Sequence, residues 1–331
     1  MGDRASEPMR ILVVTAMYPT TANPVWGIVV AREVEALRAA GHEVRALTKR
    51  PGALGYLRQW WDATREVRRW RPDVVHAHFG TSAFVAALLP SRTRLVVTLH
   101  GSDVTYGPGL TWDRHWLQYW MSVLAACRAS AVVVQAEFMR RRLIRPVRRK
   151  AVVLPQPVDL TRFGADQRSV RDPGMVLFLG DSKRAVKRRA LADEAWSLLP
   201  SPRPTLTGLD ALAPKDIPSA MSRARVGVLT SEREGLPVAC REALVSGLPV
   251  VAVELPGTRE LAEQLPEGVL LTSQEPAAIA DAVSRALTAT EGASGAALSG
   301  RLRDAARALG WGAAGHLDAV VALYRGPHRG E

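Results

Sequence analysis

Two doubly wound α/β domains are the fold this sequence predicts, and three observations predict it. Short apolar runs alternate with longer helical stretches; each run is nearly continuous rather than alternating; and the series starts afresh after a proline-rich break near residue 160. A continuous apolar run suits a strand covered on both faces, as in a parallel sheet flanked by helices. At 331 residues the chain exceeds one ordinary core and accommodates two domains of roughly 150 residues each.

The elements follow in order. Strands are predicted at 11–15, 44–47, 74–77, 95–99 and 131–135, with helices between them at 25–40, 56–70, 82–89, 110–128 and 137–144. Residues 155–171 hold several Pro and Asp without periodicity and read as the connection. A second series then runs through a strand at 175–179, a helix at 186–198, a strand at 226–229, a helix at 238–245, a strand at 250–253 and a helix at 277–287. Last comes an amphipathic helix at 311–324, with Trp311, Leu317, Val320, Val321 and Tyr324 as its apolar side. Two such halves are expected to bind a ligand in the cleft between them, outside the carboxyl ends of the strands.

Composition narrows the classes. Only Cys127 and Cys240 occur, far apart and without ligand spacing, which argues against a disulfide framework or structural zinc and for a reducing, cytoplasmic setting. Residues 1–8 lack the basic-then-apolar order of a secretory signal and are expected to be disordered. No apolar run reaches the roughly 18 residues of a membrane span. The formal charge of +12 is uneven: residues 1–160 carry 23 Lys and Arg against 12 Asp and Glu, whereas 161–331 carry 21 against 20. That excess fits an anionic partner such as a phosphorylated acceptor or the inner membrane face, or simply arginine-rich solvated faces. A nucleic-acid reading rests on the basic residues at 140–142 and 145–150, which lack interleaved aromatics; no nucleic-acid partner is expected. Trp60 and Trp61 stand beside Arg58, Arg65, Arg68 and Arg69. They suit lipid or an apolar acceptor, and core packing is the expected role.

Chemistry concentrates in Thr230-Ser-Glu-Arg-Glu-Gly-Leu-Pro-Val-Ala-Cys-Arg-Glu-Ala-Leu-Val-Ser-Gly-Leu-Pro-Val-Val-Ala-Val253. The segment leaves a strand, turns at Gly235-Leu-Pro237 and enters a helix, so that Glu234 lies in the loop and Glu242 on the helix, with seven residues between them. A helix N-terminus after a glycine turn offers unpaired N–H groups and a positive dipole end to a phosphate. A carboxylate one or two turns along can accept the two hydroxyl hydrogen bonds of a ribose.

This segment resembles family 4 of the retaining GT-B glycosyltransferases, whose signature is two glutamates separated by seven residues around a Glu-Gly-x-Pro turn. The similarity extends from residue 9 to about 325. Near the start, Tyr18-Pro19 and Asn23-Pro-Val-Trp-Gly-Ile-Val29 match the family's first loop, where Gly27 would let the backbone approach the donor. Arg71-Pro-Asp-Val-Val-His-Ala-His-Phe-Gly80 is similar to its Pro-Asp-x-x-His-x-His element, and Thr98-Leu-His-Gly-Ser-Asp103 to its His-Gly-x-Asp element. The resemblance implies catalytic roles for His100, Asp103 and Glu234, with His100 facing the transferred sugar; His76 and His78 fit either the site or the core. Val153-Leu-Pro-Gln-Pro-Val-Asp-Leu-Thr-Arg-Phe163 stands where the family has its interdomain hinge, with Gln156-Pro157 in place of Asn-Gly.

Phosphate binding is where the chain departs from that pattern. The family's Gly-Arg after the first strand of the second domain is Gly180-Asp181 here, while its lysine falls on Lys187. The second cation would come from Lys183, Arg184 or Arg188, with Arg184 favoured. The donor-binding set implied is therefore Gly27, Gly180, Arg184, Lys187, Gly235, Leu236, Pro237, Val238 and Glu242. Between Lys187 and Glu234 one βα unit is expected to be missing; residues 206–221 resemble a compact subgroup that includes teichuronic-acid-type transferases.

The family's fold implies two Rossmann-like domains, an acceptor domain at 9–160 and a nucleotide-sugar domain at 161–308, and a helix at 309–325 crossing back onto the first. The implied reaction is transfer of a sugar from a nucleotide-diphosphate donor, uridine favoured, with retention of configuration. No Asp-x-Asp metal motif exists, so no cofactor and no metal is expected; Lys187 and the N–H groups at 235–238 would neutralise the departing phosphate. A small molecule, a polysaccharide precursor or a lipid would serve as acceptor. The alternative, prompted by Asp181 and the short second domain, is a nucleotide-sugar-binding protein of the same fold that has lost transfer.

Overall fold

The computed structural model describes residues 7–21, 26–52, 54–90, 92–105, 114–164, 171–313 and 315–326. Residues 1–6 of the expected tail, 23–25 of the first loop, 110–113 at the start of the fourth predicted helix and 165–170 of the connection lie outside them. The chain divides into two compact units, Met1–Leu154 with Gly315–Glu331, and Pro155–Ala314. The division falls a few residues before the limit of 160 read from the sequence.

The first unit is built on six strands, β1 (Arg10–Thr15), β2 (Glu43–Thr48), β3 (Val74–His78), β4 (Arg94–Leu99), β5 (Ala131–Val134) and β6 (Ala151–Val153). All pairs are parallel, in the order β2-β1-β3-β4-β5-β6. Helices cover both faces, which is why Ile11, Leu12, Val13 and Val14 are all fully buried and why the run is continuous rather than alternating. From β1 the chain goes outward to β2 and then returns to β3 on the other side. The order therefore reverses between β1 and β3, where loops leave the carboxyl edge in opposite directions. Gln59 pins that edge: its side-chain amide donates to the carbonyls of Thr15 (2.8 Å) and Leu47 (3.3 Å) at the ends of β1 and β2.

The second unit has five parallel strands, β7 (Met175–Phe178), β8 (Thr205–Gly208), β9 (Val226–Leu229), β10 (Val250–Val253) and β11 (Val269–Thr272), ordered β11-β10-β9-β7-β8. Here the reversal lies between β7 and β9. One strand, β8, and two α-helices, Arg189–Ser197 and Ile217–Arg223, come between them in sequence.

Several elements differ from the sequence reading for local reasons. Strands β6, β8 and β11 are short, and β8 reads Thr-Leu-Thr-Gly, with too few apolar residues to stand out. The helix predicted from 186 begins at Arg189, after a 3-10 turn Ala185–Lys187, because Arg188 is left-handed at φ 49°. Trp311 is not on the closing helix, which runs His316–Arg325; it is buried in the second unit, where the Arg241 guanidinium lies 4.8 Å from its ring centroid. The closing helix carries Val320 and Tyr324 into the core of the first unit.

Candidate active site

Each unit places a set of functional side chains at its own carboxyl edge. In the second unit the set grows from β7 and β9, the two strands flanking the reversal. After β7, Gly180 leads into a turn in which Asp181 Oδ1 accepts from the Lys183 N–H at 3.0 Å. Asp181, which stands where a cation was expected, thus shapes the turn. The Lys187 stem passes over Gly180: a Cβ there would lie 3.2 Å from Lys187 Cγ and Cδ. The glycine supplies closeness of approach for the lysine rather than unusual torsions.

After β9, Thr230 Oγ1 donates to the carbonyls of Lys187 and Arg188, both at 3.0 Å, and the Glu232 N–H donates to Val186 O at 2.9 Å. These three bonds stitch the loop carrying Glu234 to the loop carrying Lys187. The result is an ion pair, Lys187 Nζ to Glu234 Oε1 at 2.5 Å, with side chains 17% and 13% exposed. A pair so nearly desolvated is held by its loops and would be costly to break unless an incoming charge took the place of one partner. Gly235, Leu236 and Pro237 then turn the chain into the helix Val238–Val245, whose first N–H groups face the same edge, and Glu242 sits half-buried on its second turn. Arg184 is exposed, with no side-chain partner among the described residues.

Sequence reasoning missed Arg241, the largest fully buried side chain among the described residues. It bonds the Gln156 carbonyl and covers the Trp311 ring, fastening the helix that bears Glu242 to the segments 156 and 311 of its own unit. Burial lowers its pKa to about 10, which leaves it charged throughout the physiological range. Ser231, fully buried beside Thr230, has a hydroxyl without a partner among the described residues.

In the first unit Gly27 begins the helix Ile28–Ala39 at φ 71°, and a Cβ on it would fall 2.3 Å from the Met17 carbonyl oxygen. Only glycine fits both conditions. His100, just after β4, is half-buried. Its ring stacks on Phe79 with centroids 4.2 Å apart, and its Nε2 is 3.1 Å from His78 Nδ1. Phe79 itself is held at φ 69°, a torsion that bulky residues adopt only under constraint.

Asp103 is wholly enclosed. Its carboxylate accepts the His100 N–H at 2.8 Å, the backbone N–H of Gly80 and, more distantly, the Gln118 amide. It ties together the loops after β3 and β4. Its oxygens accept from backbone groups, so Asp103, expected to be catalytic, holds the backbone of His100 in place.

Behind His100 lies a buried polar cluster that the sequence reading did not assemble. His76 Nδ1 is 2.6 Å from the Tyr324 hydroxyl and 3.1 Å from Glu33 Oε1, and its Nε2 is 2.7 Å from Thr98 Oγ1. His78 Nε2 is 3.6 Å from the same Glu33 oxygen. Burial depresses all three histidines, His76 and His100 to about 3 and His78 well below its ordinary value, so the rings are neutral at physiological pH. Between neutral rings, the His78 Nδ1–His100 Nε2 contact needs one nitrogen to donate and the other to accept. Glu33, His76 and His78 also have the identity of a metal-ligand set. Both nitrogens of His76 lie within hydrogen-bond distance of hydroxyls, those of Tyr324 and Thr98.

With this geometry in hand, comparison with known proteins is direct. The family model described as Glycosyltransferase Family 4 matches residues 45–162, and that described as Glycosyl transferases group 1 matches 168–289. A teichuronic acid biosynthesis glycosyltransferase so named in Bacillus subtilis (strain 168), TuaC, is 22% identical, over 84% of this chain and 89% of its own. Among solved structures, sucrose-phosphate synthase from Thermosynechococcus elongatus superposes with a TM-score of 0.75 at 18% identity, over 96% of this chain and 98% of the other. Anabaena HepE, solved in complex with UDP, gives 0.72 at 15% identity, over 95% and 98%. Two parallel Rossmann-like sheets, two family models that between them span both units, and these relatives lead to one conclusion: the chain belongs to the group 1 glycosyltransferases of family 4, with the GT-B fold.

Proposed function

We propose that this glycosyltransferase takes its sugar from a nucleotide-diphosphate donor, with uridine as the base, and transfers it with retention of configuration and without a metal. The observation that carries the reading is the Lys187–Glu234 pair at the β7/β9 reversal, beside the N-terminus of the helix that bears Glu242. A lysine ammonium, a set of backbone N–H groups and a ribose-binding carboxylate on neighbouring loops are what a nucleoside diphosphate requires. The HepE complex with UDP supports uridine.

In the free protein the ammonium and the carboxylate satisfy each other. A diphosphate carries more charge than one carboxylate and displaces Glu234 from Lys187, and Glu234 is released to accept hydroxyls of the donor sugar. As the glycosidic bond to phosphate breaks, charge grows on the departing oxygen. Lys187 and the N–H groups of Leu236 and Val238 are in place to stabilise it, a fixed arrangement that needs no reorganisation at that moment. Arg184, exposed and unpartnered among the described residues, supplies the second cation. His100 takes a sugar hydroxyl through its Nδ1.

The test is product analysis. Mixed with UDP- and GDP-sugars and a panel of acceptors in excess EDTA, the protein should yield a glycoside detected by mass spectrometry. NMR should show the anomeric configuration of the donor. Transfer that needs a divalent cation, or a product of inverted configuration, contradicts the proposal.

A further inference from the structure

We propose that the exposed face of the helix Gly55–Trp70 docks the protein on an anionic lipid surface. This goes beyond the transfer reading and stands or falls separately from it.

The helix keeps large apolar side chains on its outer side as well as on its buried one. Its buried side holds Gly55, Gln59, Ala63, Thr64, Val67 and Trp70, including an amide facing the sheet. Its outer side holds large apolar groups: Leu54, at the N-cap, is 57% exposed, Leu57 59% and Trp61 64%. Leu88, on the neighbouring helix end, is 55% exposed and joins them, since Trp60 Nε1 donates to its carbonyl at 3.1 Å. The expectation that both tryptophans serve core packing is thereby corrected: Trp60 is half-buried and Trp61 faces outward. A single exposed leucine means nothing, but three leucines and a tryptophan grouped at one spot call for something to cover them.

What covers them is indicated by the charge. Leu54, Leu57, Trp61, Arg65 and Arg68 recur at three- and four-residue steps and share one stripe, flanked by Arg58 and Arg69. Over roughly 16 Å from Leu57 to Arg68 the stripe passes from apolar to cationic. The two acids of the helix are already paired, Asp62 with Arg50 and Glu66 with Arg45. Arg58, Arg65, Arg68 and Arg69 have no acidic partner among the described residues. Aliphatic side chains and a tryptophan entering at headgroup depth, with guanidinium groups alongside on the phosphates, is how an interfacial helix binds. A second copy of the chain is a poorer occupant, because a two-fold pairing centred on Leu57 and Trp61 would bury the apolar end and leave the arginine row without an anionic partner. Nucleic acid is poorer still, since the leucines would face phosphate.

The experiment uses the whole chain and two double variants, Leu57→Glu with Trp61→Glu, and Arg65→Glu with Arg68→Glu. Each is sedimented with vesicles of phosphatidylcholine alone or of phosphatidylcholine with phosphatidylglycerol. Each arginine near such a surface adds about fivefold to partitioning. The unaltered protein should therefore pellet with the anionic vesicles, be released at about 0.5 M salt, and ignore the neutral ones. Both variants should lose at least about tenfold in partitioning while keeping melting temperature and UDP affinity. If the substitutions at Leu57 and Trp61 impair folding, the arginine variant decides the matter alone, because its side chains touch no core. The proposal is overturned if the unaltered protein stays in the supernatant, if the folded variants bind anionic vesicles as well as it does, or if light scattering shows a dimer that Leu57→Glu with Trp61→Glu converts to a monomer.

Discussion

Acidification should destabilise the first unit selectively, because two histidines that are neutral in its core become protonatable when it unfolds. His76 and His78 are each 1% exposed, and burial holds both below the ordinary histidine value, His76 at about 3. In the unfolded chain both titrate near 6.5. Above that value neither state binds a proton and the contribution to stability is intact. Below it the unfolded chain takes up protons that the folded one refuses, so stability is lost as pH falls from about 6.5 towards the folded values. The slope depends only on the rings staying neutral in the fold: it approaches about 1.4 kcal/mol per pH unit for each below pH 6.5, which integrates to about 3 kcal/mol for the pair between pH 6.5 and 5. That is a large part of the 5–15 kcal/mol typical of a domain. The assay is hydrogen exchange by mass spectrometry on peptides from β1, β3 and β4 at pH 7, 6 and 5, corrected for intrinsic exchange rates, with peptides from β7 and β9 as internal control. His78→Gln should lower the slope by the share of one ring, about 1.4 kcal/mol per pH unit at its limit, whatever its effect on the level. Equal protection of β3 at pH 7 and 5, or an unaltered slope in that variant, would refute the reasoning.

Other expectations follow from single contacts. Gly27→Ala places a Cβ 2.3 Å from a backbone oxygen at φ 71°, and should cost about 2 kcal/mol or more, read as a melting shift of several degrees. Glu234→Gln removes the competitor for Lys187, so UDP should bind as tightly or a few-fold tighter while turnover falls at least about tenfold, in calorimetry and steady-state assays respectively. Arg241→Ala removes the charge that bonds the Gln156 carbonyl and covers Trp311; denaturant unfolding should show a loss of about 3 kcal/mol, confined to the second unit.

Much of this was legible from the sequence because the physics was local. Continuous apolar runs such as Ile-Leu-Val-Val in β1 announce burial on both faces, and the Gly-Leu-Pro turn before Val238 marks its helix start. What escaped depends on the third dimension. Glu33 looks like an ordinary surface glutamate of an amphipathic helix, yet it sits three residues after Val30 and four before Leu37, on the stripe that faces the sheet. That phase was readable, as was that of Arg241, three residues before Leu244 on a buried stripe. The partnership of Glu33 with His76, His78 and Tyr324 was not, since 248 positions separate His76 from Tyr324. The partners of Asp103 were equally out of reach, since nothing in the sequence shows that a carboxylate two residues after Gly101 accepts from the N–H groups of His100 and Gly80. Trp61 misled because a tryptophan is assigned to a core by default, and only the orientation of Gln59 towards the sheet shows which side of the helix faces outward.

The central claim is that the second unit holds a nucleoside diphosphate through Lys187 and Glu242, and calorimetric titration of UDP in excess EDTA tests it most directly. Micromolar-range binding that Lys187→Ala and Glu242→Ala each weaken at least about tenfold is the result predicted. Absence of UDP binding, or unchanged affinity in both variants while they remain folded, would contradict it.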